Sequence, residues 1–205
     1  RVGVGGFKAL CAMAGVDGRQ EANEFSYEES AGLGRVSANF FGMELSALMG
    51  KYRFYQLFGG SLQGELSDIL GFRIEGHQRS SSDRGLSATE VNLGVEARLF
   101  TDLLLTAEGF MHGSGYSDPD EYNGIANDEE EGLDPPRYYL GKQYIGLGAS
   151  YDLTPLTGIK LVSINNMTDG SNVLASRLSH SMSENSDVAV NMNNVMGKIP
   201  QRGRV

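Results

Sequence analysis

A two-residue hydrophobic period recurs along most of this chain, and ionisable side chains keep to one of the two faces it defines. In residues 90–99, Val91, Leu93, Val95, Ala97 and Leu99 share one face, and Glu90, Asn92, Gly94, Glu96 and Arg98 share the other. Residues 69–77 set Leu70, Phe72, Ile74 and Gly76 against Arg73, Glu75 and His77. Residues 142–153 set Ile145, Leu147, Ala149, Tyr151 and Leu153 against Lys142, Tyr144, Gly146, Gly148, Ser150 and Asp152. A helix repeats its faces every 3.6 residues and cannot sort side chains this way, so the fold class is all-β and antiparallel.

Fainter copies of the pattern fill most of the remaining chain. In residues 36–49, Phe41, Met43, Leu45 and Ala47 oppose Gly42, Glu44 and Ser46; in 172–182, Leu174 and Leu178 oppose Arg177 and Ser179; and 188–196 also alternates. Residues 56–66, 103–112 and 159–166 are less regular, and 2–13 and 22–30 are the least regular, for about eleven strands in all. Short turns are predicted at 32–34, 67–68, 100–102, 154–158 and 183–187, and longer polar loops at 17–21, 51–55, 78–86, 113–137 and 168–171. If each strand reverses the chain, all short turns fall at one end and all longer loops at the other.

Composition narrows the setting. The 205 residues carry 17 Lys+Arg against 26 Asp+Glu, a net charge of −9, the wrong sign for coating nucleic acid or an anionic leaflet. The longest stretch without a charged residue, 54–64, falls far short of the 18 or so apolar residues a spanning helix needs. With Cys11 as the only cysteine, an internal disulfide framework and a multi-cysteine zinc site are excluded. The start at Arg1 lacks a signal-peptide core, so the chain is expected to be mature or part of a longer protein.

Several segments are about 10 to 13 residues long, against about 5 to 6 for ordinary soluble strands and 9 to 11 for a tilted strand crossing a bilayer. The three cleanest strands place no charge on their apolar face, where Arg or Lys would cost about 2–4 kcal/mol at a bilayer midplane. The glycine-interrupted stretch 143–158, which closes on Tyr151 and an Asp-Leu-Thr-Pro turn, resembles bacterial outer-membrane β-barrels of the porin-like kind, and 178–188 is similar in style. The resemblance covers about residues 36–196 and implies an up-and-down transmembrane barrel in the bacterial outer membrane. It departs from the pattern in having no tryptophan. Because single-chain barrels of this kind have an even strand count, about eleven strands implies part of a larger barrel. On this reading residues 1–205 form one barrel domain, with 1–35 the least determined and 113–137 a long acidic extracellular loop.

With the apolar faces toward lipid, Leu70, Phe72, Ile74, Val91, Leu93, Val95, Leu99, Ile145, Leu147, Tyr151 and Leu153 become lipid-facing. The lumen is then lined by Glu44, Arg73, Glu75, His77, Glu90, Asn92, Glu96, Arg98, Glu108, His112, Lys142, Tyr144 and Arg177. A wall carrying both signs favours small hydrophilic solutes over apolar ones. In the blander alternative, Arg73, Glu75, Glu90, Glu96 and Arg98 neutralise one another across strands and close the interior.

The acidic loop offers oxygen ligands for calcium at Asp118, Asp120, Glu129, Glu130 and Glu131, but it lacks EF-hand spacing, and a solvated acidic loop is the expected reading. His77, His112 and His180 are scattered, no Gly-x-Ser-x-Gly elbow occurs, and neither an enzyme nor a cofactor is expected. The expected function is a pore for small hydrophilic solutes or ions, with the outer-membrane bilayer as partner and a protein partner or a second copy also open. Two alternatives remain: a non-conducting outer-membrane scaffold or surface interaction protein, and a soluble β-barrel or sandwich whose apolar faces turn inward.

Overall fold

The computed structural model describes residues 7–15, 30–52, 55–81, 86–124 and 139–197. Eleven strands follow one another in sheet order as they do in sequence. They are β1 (Phe7–Gly15), β2 (Ser30–Phe40), β3 (Met43–Tyr52), β4 (Tyr55–Ser67), β5 (Leu70–Ser81), β6 (Leu86–Leu99), β7 (Leu103–His112), β8 (Gln143–Thr154), β9 (Thr157–Asn166), β10 (Asn172–Ser183) and β11 (Ser186–Met196). This is the all-β, antiparallel, up-and-down arrangement that the alternation predicts. The order ends on β1 and on β11. Residues 1–93 and 94–205 form two compact units, and β6 runs from the first into the second.

Within the first unit β1–β5 pair antiparallel in sequence. Register fixes the faces, because directly opposed residues point the same way. Glu44, Gln63 and Arg73 lie in one row, and Ser46, Ser61 and Glu75 lie in the next. On the opposite face Leu45 lies beside Leu62, and Leu62 beside Ile74. Among the described residues, the apolar face of β2–β5 carries one charged side chain, Lys51, next to the 53–54 connection.

The second unit repeats the separation. Tyr151, Ala149, Leu147 and Ile145 of β8 oppose Leu103, Leu105, Ala107 and Gly109 of β7 on the apolar face. Glu108, Phe110, Tyr144, Lys160 and Arg177 take the other face. The apolar face turns polar across β9 and β10, where Ser163, Asn165 and Asn172 replace aliphatic residues and bond to one another.

The apolar faces are not packed into a core. Leu93 and Val95 are 52% and 50% exposed, and Ile145 and Leu147 are 40% and 51% exposed. Among the described residues, the buried large apolar side chains are Tyr55 and Tyr122 alone. A soluble domain of this size covers such residues, so an apolar face left open on strand after strand is the fold's main energetic feature.

Several sequence boundaries need correction. Residues 36–49 are not one strand: β2 ends at Phe40, and a two-residue turn leads into β3. Gly32 and Gly34 therefore sit inside β2 and not in a turn. Phe41 and Gly42 both have positive φ, 50° and 77°, which gives the hairpin a twist that matches its strands. The connection read as a longer loop at 51–55 is in fact the pair 53–54. The strand expected at 22–30 lies outside the described residues, apart from Ser30 at the start of β2. In the first unit the short turns 41–42 and 68–69 fall at one end of the strands and the pair 53–54 at the other; in the second unit 100–102, 155–156 and 184–185 fall at one end and 113–142 and 167–171 at the other.

Candidate functional site: the charged face

Period-two geometry sends every second side chain of β5 to one face, so Arg73, Glu75, His77 and Arg79 form a file along it. Glu90 of β6 meets two members of this file, with Arg79 Nη2 2.9 Å from Oε1 and His77 Nε2 3.1 Å from Oε2. Arg73 Nε lies 3.9 Å from Glu75 Oε1. Further along the same unit, Arg35 Nη2 reaches Glu44 Oε1 at 3.1 Å, and Ser46 and Ser61 share a hydrogen bond of 2.6 Å. Six residues predicted to line a lumen, Glu44, Arg73, Glu75, His77, Glu90 and Asn92, thus occupy one face of the first unit. The pairs couple each cation to an acid, and the wall is electrically mixed without a large field of one sign. Arg79 Nε and Asn92 Oδ1 are buried without a partner among the described residues, so this wall retains unspent polar capacity.

In the second unit, Glu96 and Arg98 are exposed on the polar face of β6, and Glu108 is exposed on β7. His112 is buried at the end of β7, its ring stacked on Phe110 at 6.1 Å. Phe110 lies 5.3 Å from Tyr139 and 6.2 Å from Tyr144, and the two tyrosines are 5.4 Å apart. Rings this close fill the space among themselves, so the cluster is packing and not a cage for a cation.

The 113–142 connection is fastened to this end of the strands. The His112 amide donates to the Lys142 carbonyl, and the Tyr116 amide to the Leu140 carbonyl, both at 2.8 Å. A short 3-10 helix, Pro119–Gly124, carries Tyr122 inward. Its hydroxyl accepts from Asn166 Nδ2 at 3.1 Å, and the same amide donates to Asp169 Oδ2 at 3.0 Å. Burial pushes the Tyr122 hydroxyl above its usual pKa; the Asn166 hydrogen bond opposes the rise and the Asp169 charge adds to it. A Cβ at Gly141 would run into the Asn166 carboxamide and force it to shift from its partners.

Among the residues suggested for calcium, Asp118 Oδ1 accepts the Asp120 amide at 2.9 Å, so it caps the turn below the 3-10 helix. Glu129, Glu130 and Glu131 lie outside the described residues. No group of three or more metal-ligating side chains is assembled among the described residues. No helix among them is long and apolar enough to cross a membrane, which bears on helical spans alone.

No protein-family model, curated protein or solved structure matches this chain. What the charged face can do follows from its own chemistry. Four members of it were not singled out from sequence. Arg35 and Arg79 fell beyond the strand limits drawn there; Lys160 lies on β9, whose polar face also carries Val162 and Ile164 and so alternates poorly; Asn166 gains its role only through tertiary contacts.

Proposed function

We propose that the chain is the wall of an outer-membrane β-barrel, with its apolar face against lipid and its charged face lining an aqueous path for small hydrophilic solutes or ions. One observation carries this reading: Leu93, Val95, Ile145 and Leu147 share a face that is uncovered and free of charge beside them, while the acids and bases keep to the other. A bilayer covers an open apolar face at no cost and penalises charge placed on it, which is the distribution found. A soluble sandwich or ligand-binding barrel would instead turn those side chains inward and the charges out into water. Strands of 9 to 14 residues also suit a tilted crossing. Opposed charges along β5 and β6 favour polar solutes over apolar ones.

Detergent phase partitioning followed by planar-bilayer recording tests this. Recovery in the detergent phase with stepwise ion current is expected. Recovery in the aqueous phase would refute the membrane reading, and recovery in detergent without current would assign the wall to a non-conducting scaffold.

A further inference from the structure

We infer that Lys160 and Arg177 form a binding site for a small multivalent oxyanion, such as phosphate, on the charged face of the second unit. The two residues are directly opposed in the β9–β10 ladder, Arg177 beside Lys160, so both cations leave the sheet on the same side. Opposed residues have Cβ atoms about 5 Å apart, and like charges so placed destabilise the pair. On the charged face of the first unit, Arg35 and Arg79 each meet an acid. Lys160 and Arg177 do not: neither has an ion pair or side-chain hydrogen bond among the described residues. Asp152 is the nearest acid by register, opposite Gly158. Its Oδ1 lies over that glycine, 3.1 Å from where a Cβ would stand, and makes no bond to either cation.

Neutral donors surround the pair. Ser150 of β8 is opposite Lys160, and Asn191 of β11 is opposite Arg177. Ser179 is two residues beyond Arg177 and shares its face, but its hydroxyl donates to the Gly158 carbonyl at 3.4 Å. Lys160 and Arg177 are both exposed, so a solute reaches them without any rearrangement. Two adjacent positive charges with hydroxyl and amide donors suit an anion that carries more than one charge and several acceptor oxygens; the guanidinium fork supplies direction and the ammonium a point charge. A bound oxyanion would relieve the repulsion that the bare pair carries.

The site requires only that this face be wet, and it extends the pore reading by naming a preferred solute class. Calorimetric titration of inorganic phosphate into the full chain in zwitterionic detergent at low ionic strength tests it. Saturable binding is expected, weakened about tenfold by Lys160→Gln or by Arg177→Gln and lost in the double variant. Lys160→Glu sets a carboxylate opposite Arg177; it should fold, bind no phosphate, and lose the phosphate-dependent rise in thermal midpoint that the parent shows. Asp152→Asn should tighten binding. Unchanged affinity in the double variant, no saturable binding by the parent, or equal displacement by chloride at matched ionic strength would overturn the site. Because binding is read without any current, its failure leaves the pore reading standing, and absence of current leaves the site standing.

Discussion

Asn166 reaches 44 positions back along the chain to donate its side-chain amide to the Tyr122 hydroxyl. Both residues are buried, and the bond ties the start of the 113–142 connection to the β9–β10 turn. Replacing Asn166 with Ala leaves Tyr122 and Asp169 without this donor and should cost about 1–3 kcal/mol. Tyr122→Phe, which keeps the ring, should cost less, about 0.5–1.5 kcal/mol. Denaturant unfolding in detergent measures both; no change in either variant would mean that the latch contributes nothing.

The same tyrosine gives the fold an alkaline limit. Its pKa in the folded chain is raised above the value near 10 of an unfolded tyrosine. The contribution is therefore complete below about pH 10 and is lost as pH climbs through the raised value, because the unfolded chain releases the proton first. The advantage of the parent over Tyr122→Phe should shrink between pH 9 and 12. A constant difference across that range would contradict the burial of the hydroxyl.

Glu90 stands between two bases, and its removal has both a structural and a functional consequence. Glu90→Gln leaves Arg79, whose Nε already lacks a partner among the described residues, without its carboxylate. A loss of about 1–3 kcal/mol is expected. If the face lines a conducting path, removal of one negative charge should also move the reversal potential toward anion preference. Destabilisation with unchanged selectivity would take Glu90 out of the path.

Phe41 occupies the left-handed region that favours Gly or Asn, and it is 86% exposed. Little packing offsets that backbone cost in water, so Phe41→Asn should stabilise the isolated detergent-solubilised chain by about 1 kcal/mol. Phe100, with φ 60° and 87% exposure, shares that left-handed φ in the three-residue β6–β7 turn. A loss of stability in Phe41→Asn would mean that the exposed ring makes a contact with detergent worth more than the strain.

The alternation of Glu90–Leu99 and of Lys142–Leu153 made both the strands and their faces legible, because a two-residue period allows one assignment of side chains per strand. The β2–β3 hairpin was misread because its turn has only two residues, both within an apolar stretch. The signal was present as a change of parity, from Val36, Ala38 and Phe40 at even positions to Met43, Leu45 and Ala47 at odd ones. Lys160 was hidden by Val162 and Ile164, which blur the faces of β9. The bond between Tyr122 and Asn166 could not be read at all, since nothing local in either segment specifies a contact with the other. Which face meets water and which an apolar layer is also a tertiary property that alternation alone leaves undetermined.

The most direct measurement of the central claim is collision accessibility of a nitroxide placed singly at Leu93, Val95, Ile145, Leu147, Glu96 and Arg98, in a Cys11→Ser background reconstituted in lipid. Labels at the first four positions should be relaxed by oxygen and shielded from a water-soluble nickel chelate, and labels at Glu96 and Arg98 should show the reverse. Chelate access at Leu93, Val95, Ile145 and Leu147 equal to that at Glu96 and Arg98 would contradict the account.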